Sequence, residues 1–372
     1  MMQRIHGQQH AISTLDAARA GERVHHAWIF HGPRGVGKFT TAIEFAALLL
    51  DPTLTPDLTG NLVADPNSKV RRLVDSGNHP DLHIIRKELA LSSSNPQLRA
   101  RKLSNIPVDI LREFMIGGVS GDDRYHEPIV SHSPGMGHAK VFIIDEAERL
   151  DQVGQNALLK TLEEPARRTY IILVSTQLER LLPTIRSRCQ PVRFAPLSEE
   201  AMSKWLRDAK HEQIDDAQRA WLIDFADGSP GMYQSALEDN LFAWHQQLGP
   251  LIHAFVNGTP DADAGSRMAA LAEEYATLFV KANPEASKDA ANKAGAERVL
   301  LLLASIARAG LRGVVHDPAR TDPWLLAIDL VRRAERHIHS NVNYKNALEN
   351  LAAQWATVMA SPAAARMAAL YV

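Results

Sequence analysis

The chain has 372 residues, 45% of them hydrophobic, which is enough for about two to three packed domains. Its 41 Lys and Arg residues nearly balance its 43 Asp and Glu residues, which excludes the global basic excess of many nucleic-acid-binding proteins. A single cysteine, Cys189, excludes a disulfide framework and a cysteine-based zinc cluster. No signal-peptide pattern or membrane-length apolar run is present, which predicts a soluble cytoplasmic protein without a membrane partner.

A glycine-rich loop at residues 32–38 has the G-x-x-x-x-G-K spacing of a phosphate-binding P-loop. The apolar residues 27–30 before it predict a buried strand, and residues 40–50 after it predict a helix. In this context the loop N–H groups would face phosphate oxygens, and the lysine would reach the β and γ phosphates. The candidate nucleotide-binding residues of the loop are Gly32, Gly35, Gly37 and Lys38.

The position after the P-loop lysine departs from the pattern. A hydrolysing P-loop has Ser or Thr there, because that hydroxyl ligates Mg²⁺, whereas this chain has Phe39. Thr40 comes one residue later, and its hydroxyl would point elsewhere on the helix. The sequence therefore predicts a P-loop fold and argues against nucleotide turnover.

Residues 86–105 form a polar, partly basic stretch that predicts an exposed loop or hairpin. Its basic residues Arg99, Arg101 and Lys102 could contact a nucleic-acid backbone, although a solvated loop also explains them. A free-standing nucleic-acid-binding protein is therefore one alternative function. The near-zero net charge and the absence of interleaved aromatic residues weigh against it.

Two further buried strands are predicted, and each ends in polar residues. Residues 140–144 lead into Asp145 and Glu146, which could hold Mg²⁺ through water and orient an attacking water, or could simply cap a helix. Residues 169–174 lead into Ser175, which could sense a phosphate or could be a turn residue. Strands that alternate with helices predict a parallel α/β sheet.

An Arg-Ser-Arg-Cys run follows at residues 186–189. Its two arginines could form a solvated pair, or one guanidinium could stabilise charge on a phosphate bound elsewhere. The spacing leaves both interpretations open.

After residue 196 the pattern is helical, with breaks at residues 228–231 and 257–261. The predicted organisation is a P-loop α/β domain at residues 1–195, a small helical lid domain at residues 196–245 and an all-α collar domain at residues 246–372.

Several motifs together resemble the AAA+ subunits of bacterial clamp loaders. The most specific are residues 156–165, which read Asn-Ala-Leu-Leu-Lys-Thr-Leu-Glu-Glu-Pro, and residues 187–189, which read Ser-Arg-Cys. The P-loop, Asp145 with Glu146, residues 78–81 (Asn-His-Pro-Asp), residues 26–30 and 179–182, and weaker matches near residues 341–349 also fit. The resemblance covers nearly the whole chain and is strongest at residues 140–194.

In this family, five subunits form a spiral with ATP at their interfaces. The resemblance implies that Arg188 is a trans-acting finger that reaches a neighbour's ATP. It also implies a non-hydrolysing stator rather than a motor subunit, for two reasons. Phe39 replaces the magnesium hydroxyl, and residues 228–231 (Gly-Ser-Pro-Gly) lack the arginine that motor subunits have in a Gly-Ser-x-Arg motif.

The resemblance further implies gamma/tau and delta subunits as partners in a hetero-pentamer, and contact with the sliding clamp and primer–template DNA through that complex. Many members have a four-cysteine zinc module after the P-loop, but residues 51–76 contain no cysteine, so no zinc or other metal site is expected. Because Lys38, Asp145 and Glu146 are retained, weak binding of ATP or ADP without hydrolysis is the prediction. A gamma/tau-like motor ATPase is the alternative, and a location at the replisome on the nucleoid is expected.

Overall fold

The computed structural model describes residues 4–21, 24–56, 62–63, 65, 67–100, 105–136, 138–209, 214–283, 287–340 and 342–360. The chain divides into two compact units. Unit 1 comprises residues 1–214 and 226–232, and unit 2 comprises residues 215–225 and 233–372.

Unit 1 is built on a five-stranded parallel sheet with the strand order β2-β3-β4-β1-β5. The strands are β1 Ala27–His31, β2 Leu82–Ile85, β3 Lys140–Ile144, β4 Thr169–Ser175 and β5 Gln190–Arg193. All five residues of β3 are buried, as expected for a central strand that is covered on both faces.

Helices flank this sheet and bury both of its faces. They are α1 Gln9–Ala20, α2 Lys38–Leu50, α3 Lys69–Asp75, α4 Pro96–Arg99, α5 Val108–Leu111, α6 Gln152–Glu163 and α7 Pro183–Arg186, and α8 Glu199–Ala209 follows β5 along the chain. Alternate residues of β1 serve separate cores, because successive strand side chains point to opposite faces. Trp28 and Phe30 pack in one core with Phe45 of α2, whereas Ile29 packs in the other with Leu158 of α6.

Shorter elements connect these helices and strands. The 3₁₀ turns are Lys87–Ser92, Ile129–Ser131, Ala147–Arg149 and Leu178–Arg180, and a π-helical turn, Arg112–Ile116, continues α5. Two antiparallel pairs of two-residue strands join Thr55–Pro56 to Leu62–Val63 and Gly118–Val119 to Tyr125–His126.

The prediction of an exposed loop or hairpin at residues 86–105 is wrong in its secondary structure for much of residues 87–99, and Arg101 and Lys102 lie outside the described residues. The segment contains a 3₁₀ turn and α4, and it buries Ala90 and Leu98 in a core of unit 1. Asn95 caps α4 by accepting the Gln97 N–H at 2.8 Å. Buried apolar anchors therefore fold a stretch whose overall polarity predicts a loop.

The described residues of unit 2 form helices that are joined by turns and short loops. Helices α9 Asp216–Ala226 and α10 Pro230–Glu238 are followed by α11 Leu241–Val256, α12 Ala264–Ala282, α13 Lys288–Val314, α14 Pro318–His339 and α15 Tyr344–Ala360. Within unit 2, α12 packs on α13 and α15, and α14 also packs on both of these helices. The buried side chains include Phe255, Leu303 and Trp355.

The predicted fold class, a parallel P-loop α/β sheet with flanking helices followed by a helical region, is confirmed. The boundaries of the three predicted domains stay a prediction. No helix among the described residues is both long and apolar enough to cross a membrane.

Candidate functional site

The P-loop joins the carboxyl end of β1 to the amino end of α2, as its spacing predicts. Gly37 precedes α2 with a φ of +97°, a left-handed conformation that favours glycine, and a Cβ added there would meet nothing within 4 Å. The crest of the loop is therefore open for a ligand. Backbone N–H groups at a helix start, together with a lysine, suit a phosphate group.

Lys38 is buried, and its ammonium group is folded onto the loop itself. Nζ donates to the carbonyl oxygens of Gly32 at 2.8 Å and Pro33 at 2.5 Å. Burial lowers the pKa of Lys38 from 10.5 to about 8, although the carboxylates of Glu148 and Asp145 oppose that shift. A phosphate would compensate the buried positive charge.

No hydroxyl occupies the magnesium-ligating position at the start of α2. The side chain of Phe39 packs against a hydrophobic core, and Thr40 is exposed. Thr41 is buried, but its Oγ1 donates to the Gly37 carbonyl at 2.8 Å, so that hydroxyl serves the helix. The residues present therefore fit a nucleotide phosphate but not the usual P-loop magnesium ligand.

Asp145 directly follows β3. It lies at the same end of the strands as the P-loop, because the carboxyl ends of parallel strands lie together. Its Oδ1 accepts the N–H of Glu146 at 3.0 Å. Burial raises the pKa of Asp145, and the negative charges of Glu146, Glu148 and Glu88 raise it further. A cation at this position would relieve that repulsion.

Glu146 is held by two basic side chains. Lys87 Nζ lies 2.6 Å from its Oε2, and Arg149 Nε lies 3.1 Å from its Oε1. Burial works against ionisation of Glu146, but the hydrogen bonds and charges of Lys87 and Arg149 outweigh burial and lower its pKa. Both carboxylate oxygens are thus engaged within the chain, which leaves this side chain poorly placed to orient a water.

Ser175 ends β4 and pairs in register with His31, the last residue of β1. The serine is buried, and its Oγ accepts the Gln177 N–H at 3.1 Å. The neighbouring Thr176 donates its hydroxyl to Glu148. Ser175 therefore lies beside the P-loop, as the strand pattern predicts, and it also forms a local turn.

The turn at residues 228–231 lies directly on the P-loop. Ser229 Oγ donates to the Arg34 carbonyl at 2.8 Å, and the Gly231 N–H donates to the Gly35 carbonyl at 2.9 Å. A Cβ added to Gly231 would come within 2.7 Å of the Gly35 Cα, which is closer than real Cβ atoms approach backbone. Position 231 is therefore used for backbone packing against the loop.

Arg188 lies at the opposite end of the parallel strands from the P-loop, near their amino ends. It precedes β5, whose first residue, Gln190, pairs with Trp28 near the amino end of β1, whereas the P-loop follows the carboxyl end of β1. The Arg188 guanidinium contacts Glu163 at the end of α6, with Nη2 2.6 Å from Oε1. The structure therefore separates Arg188 from its own chain's P-loop.

The sequence alone did not predict several contacts around the P-loop and the β3 carboxylates. Lys87 could have been anticipated, since it follows β2 and a basic residue there faces the carboxyl end of the adjacent β3. Glu148 and the contact of Gly231 with Gly35 carry no recognisable spacing signal. Within the described residues, no group of three or more His, Cys, Asp or Glu is arranged to hold a metal ion.

Comparison with known proteins identifies the family. Residues 7–198, just over half of the chain, match the sequence model of a family described as "DNA polymerase III, delta subunit". The chain belongs to this family of clamp-loader subunits. Its membership agrees with the P-loop, the β3 carboxylates and the Ser-Arg-Cys motif on the same domain.

The named relatives include delta' and gamma subunits of DNA polymerase III. DNA polymerase III subunit delta' of Bacillus subtilis is 34% identical over 49% of this chain and 45% of its own length, and that of Pseudomonas aeruginosa is 32% identical over 55% and 53%. DNA polymerase III subunit gamma of a Buchnera aphidicola strain is 28% identical over 82% of this chain and 72% of its own length. The chain thus spans about half the length of the two delta' relatives.

A solved structure also resembles the chain. A DNA polymerase III gamma subunit-related protein from Thermotoga maritima aligns over 94% of this chain and 99% of its own, with a TM-score of 0.42 and 17% identity.

Proposed function

We propose that the chain is a delta prime-type subunit of a DNA polymerase III clamp loader. It would act as a non-hydrolysing stator and present Arg188 to the ATP of a neighbouring motor subunit while the sliding clamp is loaded onto primed DNA. Its partners would be gamma/tau and delta subunits in a hetero-pentamer. The work would take place in the cytoplasm, at the replisome on the nucleoid.

The position of Arg188 is the observation that carries this proposal. The arginine lies near the amino ends of the parallel strands, and the chain's own P-loop lies at their carboxyl ends. A guanidinium stabilises a transferring phosphoryl group only when it contacts it. Under this proposal Arg188 would serve a nucleotide bound by another chain, and that role would require assembly with a neighbour.

The state of the chain's own P-loop supports the absence of hydrolysis. Phe39 supplies no magnesium hydroxyl, and Glu146, the candidate for orienting water, is held by Lys87 and Arg149. Gly231 stands where a sensor arginine would be needed. Each change removes a part that phosphoryl transfer uses, although the loop retains Lys38 and its open crest for a phosphate.

The rest of the proposal concerns organisation and ligands. Residues 1–195 would form the AAA+ domain, residues 196–245 the lid and residues 246–372 the collar that joins the subunits. ATP or ADP would bind weakly and remain unhydrolysed, with Gly32, Gly35, Gly37, Lys38, Asp145, Glu146 and Ser175 around it. No zinc would be bound.

A gamma/tau-like motor ATPase is the second candidate. The similarity to a gamma subunit over 82% of the chain favours it, as do the retained Lys38 and Asp145. A water molecule would then have to replace the missing hydroxyl on Mg²⁺. This candidate predicts hydrolysis by the isolated chain.

The steady-state ATPase rate of the isolated full-length chain, with Mg²⁺ present, separates the two candidates. The stator proposal predicts no turnover above a Lys38→Ala control, and it predicts little effect of Lys38→Ala in this subunit on the reconstituted complex. Turnover by the isolated chain that Lys38→Ala abolishes would establish a motor subunit instead.

A further inference from the structure

We propose that Glu163 is a positioning residue for Arg188, the finger of the proposed function on which this inference rests. The carboxylate would fix the guanidinium before a neighbouring nucleotide arrives. It would not touch the nucleotide itself.

The Arg188 guanidinium is tethered through two of its nitrogens. Nη2 lies 2.6 Å from Glu163 Oε1, while Nη1 donates to the Thr184 carbonyl at 2.9 Å and, more distantly, to Ser187 Oγ at 3.4 Å. The Arg188 side chain is still 35% exposed. The contacts therefore orient the group and leave it accessible to a partner chain.

Both ends of the ion pair are anchored by adjacent core residues. Leu162, next to Glu163, and Cys189, next to Arg188, are buried in the same hydrophobic core of unit 1. His26 adds a further restraint on α6, because its Nε2 lies 2.8 Å from the Leu162 carbonyl, which can only accept a hydrogen bond. The pair is thus built on rigid elements.

Pre-orientation matters because a free arginine side chain has many rotamers. Fixing the side chain in a single rotamer on binding costs conformational entropy, which opposes the interaction. A finger held near its working geometry avoids that entropy loss, and small displacements of catalytic groups slow reactions strongly. An exposed ion pair adds little to stability, so its principal effect would be on orientation. The expected consequence is a change in the neighbour's turnover and not in its affinity for ATP.

The test is a set of variants in the full-length chain, reconstituted with motor and delta subunits and assayed with clamp and primed DNA. Glu163→Ala should lower kcat for ATP by about 3- to 10-fold, with KM within about 2-fold. Glu163→Gln keeps an acceptor oxygen and should restore at least half of that loss. Glu164→Ala, on the adjacent exposed glutamate, should match wild type.

A double-mutant cycle completes the design. Because Glu163 would act only through Arg188, Glu163→Ala combined with Arg188→Ala should be no slower than Arg188→Ala alone. Size-exclusion chromatography of each complex checks that assembly is intact.

The outcomes separate this inference from the proposed function. Suppose that Arg188→Ala slows turnover strongly. If Glu163→Ala then has the wild-type rate or a higher one, or if the double variant is slower than Arg188→Ala, the positioning role is overturned while the proposed function stands. If Arg188→Ala has no effect, both proposals are overturned. A loss in Glu164→Ala equal to that in Glu163→Ala also contradicts the positioning role.

Discussion

Gly231 and Gly35 lie in direct backbone contact, with the Gly231 N–H donating to the Gly35 carbonyl at 2.9 Å. The contact depends on the absence of side chains, because a Cβ on Gly35 would come within 2.4 Å of Ser229 Oγ and one on Gly231 within 2.7 Å of the Gly35 Cα. The turn at residues 228–231 thus forms part of the support of the P-loop. An arginine at position 231 would have to displace it.

Gly231→Ala should therefore destabilise the chain. Alanine has a higher helix propensity than glycine, but its Cβ would clash with the Gly35 backbone, and the two segments would have to move apart. We therefore expect a loss of about 1–3 kcal/mol in the free energy of unfolding. Guanidinium unfolding followed by circular dichroism measures it. Gly21→Ala is the control, because its Cβ would make only ordinary contacts at 3.5 Å, and it should be neutral or slightly stabilising. Equal stability of the two variants would refute the close contact.

Lys38→Met should change stability in a pH-dependent way. The folded-state pKa of Lys38 is about 8 and its ordinary value is 10.5, so between these pH values the unfolded chain binds more protons and wild-type stability rises with pH. The variant lacks this contribution. Its free energy of unfolding minus that of wild type should therefore fall by up to about 3 kcal/mol between pH 7 and pH 10.5.

Unfolding curves of both proteins across this pH range provide the measurement. Lys160→Met removes a lysine from an exposed position on α6 and controls for the loss of one positive charge. A difference for Lys38→Met that is constant with pH would show that the Lys38 ammonium is not destabilised by burial.

Phe39→Ser should introduce magnesium dependence into nucleotide binding. The partly buried Phe39 side chain packs against a hydrophobic core and offers no magnesium ligand. Replacing Mg²⁺ by EDTA should therefore change the Kd of wild type for ADP by less than about 3-fold, whereas a serine hydroxyl should give about 10-fold tighter binding with Mg²⁺. Calorimetric titration with ADP measures both. Phe39→Leu reduces packing without adding a hydroxyl, and its ADP binding should depend on Mg²⁺ as little as that of wild type. A strong Mg²⁺ effect on ADP binding by wild type would contradict the absence of a P-loop magnesium ligand.

Lys87→Met should expose the role of the pair with Glu146. The pKa of Glu146 is lowered, so the pair contributes stability above the ordinary glutamate value of 4.5, and that contribution is lost as the pH falls through the folded-state pKa. We expect Lys87→Met to lower the free energy of unfolding by about 1 kcal/mol at pH 7 and by less at pH 4. Lys87→Met combined with Glu146→Gln should recover part of the loss, and an undiminished loss at pH 4 would exclude the ion pair as its cause.

The local parts of the site could be predicted from the sequence, and the parts made by distant segments could not. The P-loop and Asp145 were predictable because each is a short motif next to a strongly apolar strand, and parallel strands bring their carboxyl ends together. The strand Gln190–Arg193 was missed because it lies at the edge of the sheet and buries only Val192. Its hydrophobic pattern is too short to predict a strand.

Contacts between distant residues left no pattern in the sequence. Glu163 and Arg188 are far apart in sequence, and their ion pair follows from the core packing of their neighbours Leu162 and Cys189. The contact of Gly231 with Gly35 likewise depends on where a later turn lies against the loop. For Lys87, the missing step was to combine its position after β2 with the order of strands in the sheet.

The proposed role of Arg188 is tested most directly by the steady-state ATPase rate of the reconstituted clamp loader, with clamp and primed DNA, carrying Arg188→Ala in this subunit. A fall on the order of 10³-fold in the rate at the neighbouring site is expected if Arg188 is the proposed finger of that site. Arg186→Ala, two residues earlier and exposed, should retain the wild-type rate. An unchanged rate in Arg188→Ala, or an equal loss in Arg186→Ala, would contradict it.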